Sequence, residues 1–94
     1  TSEALEDALL RDAPSRVARG ILRLAATFGR KEGAALRIDI RLSQQQLGNL
    51  IGISRESVNK YLMEWSRAGY LAMDHGVITI KDQEALSDLA EAEV

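Results

Sequence analysis

Residues 42–70 constrain the fold more than any other part of the chain, because they carry the start and stop signals of two successive short helices. Ser43 is a favoured N-cap residue, and Gln46 three residues later completes a Ser-x-x-Gln capping box. Gly52 can adopt the left-handed conformation that ends a helix, and Ser54 is a second favoured N-cap. Two capped helices joined by so short a turn predict a helix-turn-helix.

The second predicted helix has an apolar face and a polar face when its residues are placed about 100° apart. The apolar arc consists of Val58, Tyr61, Leu62, Trp65 and Ala68. The polar arc consists of Arg55, Glu56, Asn59, Lys60 and Arg67. Because a recognition helix presents its N-terminal end to base edges, the first four residues of the polar arc are the predicted base-reading groups. The alternative is an ordinary solvated helix face that binds nothing.

Apolar periodicity predicts further elements before this pair of helices. Residues 2–11 form a predicted helix, and Asp12 caps another that runs to about Phe28 with Pro14 in its first turn. Residues 29–33, bracketed by two glycines, are predicted to form a charged loop.

The remaining segments complete a recognisable order of elements. Alternating residues predict a strand over 36–40, and two short strands at 70–73 and 77–80 predict a β-hairpin. Asp82 caps a last predicted helix, which extends through Ala90. This order of elements predicts a winged helix-turn-helix: helix, helix, strand, helix-turn-helix, hairpin and helix. Its class is α+β, mainly α, with a small antiparallel β-sheet.

The sequence also predicts the surroundings of two groups of residues on the helices. Leu47, Leu50 and Ile51 recur at helical spacing and should form the buried face of the first short helix. A basic row of three arginines lies on the helix that precedes the loop, and we interpret it as solvating that helix rather than contacting DNA. The row consists of Arg16, Arg19 and Arg23.

Composition excludes several other classes of protein. The 94 residues suffice for one small domain, and 46% of them are hydrophobic. The sequence has no apolar run long enough to span a bilayer, no signal-peptide pattern and no cysteine, which fits a cytoplasmic protein. The only histidine, His75, falls in the predicted hairpin turn and should be exposed, so a zinc site of usual composition is not expected.

The net charge of −2 conceals a basic middle. Residues 13–81 hold eleven Lys or Arg and five Asp or Glu, a net charge of +6, whereas residues 1–12 and 82–94 carry −3 and −5. A basic centre between acidic ends is consistent with a surface that faces phosphates. Many functions that do not involve DNA are also compatible with such a charge pattern.

Longer strings in this chain resemble the DNA-binding domain of the Crp/Fnr superfamily of bacterial transcription regulators. The strings are RLSQQQLGNLIGISRESVNKYL and GYLAMDHGVITIKD, and DAPSRVARGILRLA resembles the first helix of that domain. The resemblance covers nearly the whole chain, and SRESV is its most specific part. It implies that residues 1–11 are the C-terminal part of a dimerisation and linker helix. Residues 12–94 would then be the winged helix-turn-helix domain.

The resemblance also implies roles for the base-reading residues. Arg55 occupies the position that donates a bidentate fork to O6 and N7 of guanine, and Glu56 the position that accepts from an exocyclic amino group, commonly that of cytosine. Lys60 stands where many members have arginine, and lysine lacks the planar fork. Asn59 falls at a position that varies between subfamilies. The Arg-Glu pair is closer to the cyclic-AMP receptor protein branch than to the Fnr branch, which implies a half-site related to TGTGA.

Four side chains at the two helix starts are implied to contact the DNA backbone. Their hydroxyl or amide groups, together with the backbone N–H groups of the first turns, can bind phosphate oxygens. Gln44 stands where some relatives have a basic residue, so its contact should be weaker. Ser43 and Ser54 can cap helices and bind phosphate at the same time. The four residues are Ser43, Gln44, Ser54 and Ser57.

The partners implied by the resemblance are double-stranded DNA, a second copy of the full-length protein, and RNA polymerase. No cofactor is expected in this segment, since a cyclic nucleotide or other effector would bind an N-terminal domain that the sequence does not contain. The rival interpretation is a winged-helix protein–protein interaction module without DNA readout. An enzyme is a more distant alternative, because the sequence has no Gly-rich phosphate loop, no nucleophile elbow and no paired catalytic groups.

Overall fold

The structure is a computed structural model that describes the backbone of residues 2–91 and the side chains of residues 13–91. Within that range lie four helices and four strands, which form the predicted mainly helical α+β fold. None of these helices is both long and apolar enough to cross a bilayer. In chain order the elements are α1 (Ser2–Phe28), β1 (Gly29–Glu32), β2 (Ala35–Ile38), α2 (Gln44–Ile51), α3 (Arg55–Arg67), β3 (Leu71–Asp74), β4 (Val77–Ile80) and α4 (Gln83–Glu91).

The two helices predicted before residue 29 are a single helix, α1, so the predicted new start at Asp12 is wrong. Pro14 lies inside α1. A proline ring fixes φ near the helical value and removes one N–H from the hydrogen-bond ladder. The residues on both sides of Pro14 are helical, so the helix continues across it. The side chains of residues 1–12, which include the predicted cap and the predicted dimerisation segment, lie outside the described residues.

The sheet contains one strand that the sequence does not predict. Its order is β1-β2-β4-β3, and every neighbouring pair is antiparallel. Residues 29–32, predicted as part of a loop, form β1 and pair with β2 in a register that joins Gly29 to Ile38. All four residues of β1 are exposed, so no apolar alternation marks them as a strand. The predicted hairpin is confirmed as β3 and β4, the wing of the fold.

The predicted start signals of α2 and α3 are confirmed. The Ser43 hydroxyl accepts from the Gln46 backbone N–H at 3.0 Å, and the Ser43 N–H donates to the Gln46 side chain at 2.9 Å. This reciprocal pair is the capping box, and each bond satisfies a donor that the first helical turn leaves without a partner. The Ser54 hydroxyl likewise accepts from the Ser57 backbone N–H at 3.2 Å.

Glycine ends both helices, as the sequence predicts. Gly52 has φ of 87° at the end of α2, and Gly69 has φ of 83° just after α3. The Tyr70 N–H donates to the Trp65 carbonyl oxygen at 2.9 Å, and the Gly69 N–H donates to the Ser66 carbonyl oxygen at 3.1 Å. These two bonds make a Schellman motif, which needs the left-handed conformation that glycine adopts without a Cβ clash.

One apolar core joins all four helices and the inner face of the sheet. Val58, Leu62 and Trp65 are buried as the helical wheel predicts, whereas Ala68 of the same arc is exposed. Leu50, predicted to be buried, is 66% exposed. The buried hydrophobic residues of the core are Val17, Ala18, Ile21, Ala25, Ile38, Leu47, Val58, Leu62, Trp65, Leu71, Ile78, Ile80 and Leu86.

The turn between α2 and α3 packs closely against the body of α2. The Gly52 and Ile53 N–H groups both donate to the Gly48 carbonyl oxygen, at 2.7 and 3.0 Å. Gly48 is buried, and a Cβ placed on it would lie 2.7 Å from the Ile53 carbonyl oxygen. The absence of a side chain at this position therefore lets the chain reverse and begin α3 at once.

A contact from α1 fixes the other side of α2. The Arg16 guanidinium donates from Nη2 to the Ile51 carbonyl oxygen at 2.7 Å. That carbonyl belongs to the last turn of α2, where the helix leaves acceptors without intrahelical partners and where a positive charge is stabilising. The interpretation of Arg16 as merely solvating α1 is wrong, because its side chain joins the first helix to the helix-turn-helix.

We expect the Gly48→Ala variant to lower the free energy of unfolding by about 1–3 kcal/mol, the usual cost of overpacking a tight site. The cost should outweigh the roughly 1 kcal/mol that alanine gains over glycine in helix propensity. Urea denaturation followed by circular dichroism measures the difference.

The Gly20→Ala variant is the matched control, because Gly20 also lies inside a helix. A Cβ there would lie 2.8 Å from Cγ1 and 3.1 Å from Cδ1 of Ile51, so that side chain must shift, whereas at Gly48 the obstacle is a backbone carbonyl oxygen. We expect the free energy of unfolding to fall less in this variant than in Gly48→Ala, because a side chain gives way more easily than backbone. Equal losses in both variants would contradict a special role for the turn.

Candidate nucleic-acid interface

The N-terminal half of α3 presents its polar face to solvent. Val58, with no exposed surface, and Leu62, 1% exposed, anchor the opposite face of the helix in the core. Three of the four predicted base-reading residues are exposed and the fourth is half-buried. Arg55, Glu56 and Lys60 are the exposed residues, and Asn59 is the half-buried one.

Arg55 and Glu56 form a loose pair at the beginning of this face. The Arg55 Nη2 atom lies 3.4 Å from the Glu56 Oε1 atom, and the two side chains are 54% and 74% exposed. An ion pair with so much solvent around it contributes little to folding. Either side chain can therefore exchange its partner for a ligand at small cost, and the pair offers a donor fork next to an acceptor.

Lys60 has a defined position despite its exposure. Its Nζ atom lies 5.5 Å from the centroid of the Tyr61 ring, within the range of a cation–π contact. Tyr61 in turn stacks on Trp65, with ring centroids 5.9 Å apart. The ammonium group is thus placed beside α3 by an aromatic pair that is itself anchored in the core.

Asn59 makes a contact that the sequence does not predict. The Gln44 Nε2 atom donates to the Asn59 Oδ1 atom at 2.9 Å, in a partly buried position between α2 and α3. The two residues are 15 positions apart, so the pairing depends on the angle between the helices and leaves no local signal. The bond brings the first residue of α2 against the second turn of α3, so the start of α2 and the polar face of α3 share one surface.

The hydroxyl groups predicted to bind phosphate lie at the two helix starts. The Ser54 hydroxyl donates to the Ser57 hydroxyl at 3.0 Å while it accepts from the backbone, which links the first turn of α3 internally. Ser43 and Ser54 are exposed, and Ser57 and Gln44 are half-buried. A helix N-terminus with accessible N–H groups favours an anion, so these positions suit phosphate chemically.

The wing is tied to the segment that leads into α2. The Leu42 N–H donates to the Gly76 carbonyl oxygen at 3.0 Å. The exposed side chain of Arg41 packs against Gly76 and places a cation beside the start of α2. No local sequence pattern predicts this position. His75 is exposed at the wing turn, as expected, and its Nδ1 atom pairs with the Asp74 carboxylate.

The acidic C-terminal segment packs elsewhere on the fold. Helix α4, which carries Glu84 and Asp88, lies against α1. The carboxylates of α4 therefore lie on a different element from the polar face of α3. Among the side chains of residues 13–91, no cluster of three or more His, Cys, Asp or Glu is arranged to hold a metal ion.

Comparison with known proteins identifies the family. A family model described as the Crp-like helix-turn-helix domain matches residues 15–89. The CRP-like cAMP-activated global transcriptional regulator of Mycobacterium tuberculosis (strain H37Rv) is 39% identical over 87 residues, which are 93% of this chain and 39% of that protein. The fumarate and nitrate reduction regulatory protein of Escherichia coli (strain K12) is 26% identical over 80 residues, which are 85% of this chain and 32% of that protein.

Solved structures agree with this assignment. A transcriptional regulator of the CRP/FNR family from Thermus thermophilus superposes with a TM-score of 0.74 at 28% identity, over 84% of this chain and 40% of that chain. The CO-dependent transcription factor of Carboxydothermus hydrogenoformans shares the fold, with a TM-score of 0.81 at 21% identity over 96% of this chain and 42% of that one. This chain thus spans less than half the length of these relatives. Because the family model matches most of the chain, the protein belongs to the Crp-like helix-turn-helix domain family, as its sequence predicts.

Proposed function

We propose that this domain binds double-stranded DNA sequence-specifically and inserts the N-terminal half of α3 into the major groove. The observation that carries the proposal is the outward polar face of α3, held by a capped and tightly packed turn in a member of the Crp-like family. A protein-interaction module has no comparable need for a donor fork and an acceptor at the start of an exposed helix.

Arg55 and Glu56 would read bases directly. The Arg55 guanidinium has the planar donor fork that matches O6 and N7 of guanine, and the Glu56 carboxylate would accept from the amino group of cytosine. Lys60 would add a single charged donor without the geometry of a fork. Their exposure supports these roles, because none of the three side chains has to leave the core to reach a base.

The helix starts would set the register on the DNA backbone. The hydroxyls of Ser43, Ser54 and Ser57 and the first-turn N–H groups of α2 and α3 would bind phosphate oxygens. Such contacts carry no sequence information, but they fix the depth and angle at which α3 enters the groove. Arg41, beside the wing, would provide an additional phosphate contact.

The complete protein would act as a dimeric bacterial transcription regulator in the cytoplasm. Two copies would engage the halves of a palindromic site whose centres are about one helical turn apart. Residues 1–11 would belong to the dimerisation helix, and an N-terminal domain would bind a cyclic nucleotide or another effector. The effector would act by changing the spacing of the two copies of α3, and bound dimers would contact RNA polymerase.

We expect the Arg55→Ala variant to weaken binding to a DNA site selected from random sequence by about 1–3 kcal/mol, the value of one bidentate base contact. Binding to a scrambled duplex should change little. Fluorescence anisotropy with both duplexes at one salt concentration measures the two effects.

Arg67→Ala is the matched control, since Arg67 lies on the exposed side of the same helix but in its last turn. This variant also loses one positive charge, but at a position distant from the predicted base-reading end of α3. The losses of binding affinity on the two duplexes should therefore be small and equal. Equal losses on both duplexes for Arg55→Ala would contradict base reading.

We expect binding to weaken steeply with added salt, because cations that replace counterions on DNA release those ions into solution. The logarithm of the binding constant should fall linearly with the logarithm of salt concentration, by about 0.9 for each neutralised phosphate. A titration from low to moderate potassium chloride at constant pH measures the slope. A flat response would argue against an interface rich in phosphate contacts.

A further inference from the structure

We propose that Gln44 is a positioning residue that sets the base preference of Asn59 by fixing the orientation of the Asn59 side-chain amide. The inference rests on the proposed insertion of α3 into the major groove. Its starting point is the bond from the Gln44 Nε2 atom to the Asn59 Oδ1 atom, 2.9 Å long and partly buried between α2 and α3.

The two polar atoms of an asparagine side-chain amide have opposite hydrogen-bonding roles. Its oxygen only accepts hydrogen bonds, and its nitrogen only donates them. Because Oδ1 of Asn59 accepts from Gln44, the Nδ2 atom on the other side of the amide is turned away from α2. In this orientation Asn59 would offer its N–H donors to a base edge, because its oxygen faces Gln44.

This orientation selects among bases. A donor suits the acceptors of the major groove, which are N7 and O6 of guanine, N7 of adenine and O4 of thymine. Paired recognition of adenine also needs a free acceptor for its N6 amino group, and cytosine offers only an amino donor at this edge. The Gln44 bond thus disfavours cytosine opposite Asn59 and favours a base with an acceptor there.

The position of Gln44 couples this choice to the DNA backbone. Gln44 is the first residue of α2, directly after the Ser43 cap. Its amide nitrogen has two N–H groups, of which one is donated to Asn59. The second N–H would be available for a phosphate at the start of α2. One side chain would then connect a backbone contact to the group that reads a base.

Asn59 differs in this respect from its neighbours on the polar face. Arg55 and Glu56 are exposed and contact only each other among the described side chains, so the DNA itself would select their orientation. Asn59 is half-buried and held before DNA arrives. An interaction that is already ordered in the free protein costs less conformational entropy on binding, which makes a single weak contact more effective.

Three variants of α2 test the proposal, of which only Gln44→Glu reverses the polarity of the contact with Asn59. In Gln44→Glu a carboxylate can only accept, so Asn59 must turn its Nδ2 atom toward α2 and expose Oδ1. In Gln44→Lys an ammonium can only donate, so Asn59 keeps its orientation. Gln45→Glu makes the same charge change one residue away, on an exposed side chain that bonds to Asn49 instead of α3.

Base preference, rather than overall affinity, is the measurement. The site is first selected from random sequence with the parent protein, and the base pair opposite Asn59 is the position whose preference Asn59→Ala abolishes. Binding is then measured on four duplexes that differ only at that position. For Gln44→Glu we expect the preference to shift toward cytosine by about fivefold or more, the size expected of one hydrogen bond. Gln44→Lys and Gln45→Glu should keep the parent preference, although both alter affinity uniformly through charge.

The outcomes separate this inference from the proposed function. If Gln44→Glu weakens all four duplexes alike and keeps the parent preference, as Gln45→Glu should, the orienting role is overturned while DNA reading stands. If the parent protein selects no sequence at all, both proposals are overturned. Thermal melting of each variant verifies folding, and an acidic residue in the first turn of a helix is stabilising, so Gln44→Glu should remain folded.

Discussion

The close packing of the turn between α2 and α3 is the constraint on which the rest of the structure depends. Gly48 is buried and its carbonyl oxygen accepts two N–H groups from the turn, so the backbone passes where any Cβ would collide. That approach fixes the angle between the two helices. The angle in turn places the apolar face of α3 in the core, its polar face in solvent, and Gln44 within hydrogen-bond distance of Asn59.

Two further contacts anchor this pair of helices to the remainder of the domain. The Arg16 guanidinium attaches α1 to the last turn of α2, and the Leu42 N–H attaches the wing to the segment before α2. Neither contact involves a predicted base-reading side chain. These two contacts therefore leave the exposed groups Arg55 and Lys60 free to exchange water for DNA.

The features that the sequence predicts correctly are those with causes within one helical turn. The serine caps and the glycine stops act on neighbouring backbone groups, and the buried face of α3 follows from helical periodicity. The features it misses depend on distant partners. Strand β1 has no apolar residue and exists through its pairing with β2, and the contacts made by Arg16 and Gln44 span 35 and 15 positions. Leu50 follows the apolar pattern, but periodicity alone does not show how much of it the rest of the fold covers.

The most direct test of the central claim is an NMR titration of the ¹⁵N-labelled chain with a duplex that carries one selected half-site. If the polar face of α3 enters the groove, the largest backbone amide shift changes should fall on residues 54–60 and at the start of α2. Smaller changes are expected at the wing turn. Changes confined to α1 and α4, with residues 54–60 unaffected at saturation, would contradict the proposed interface.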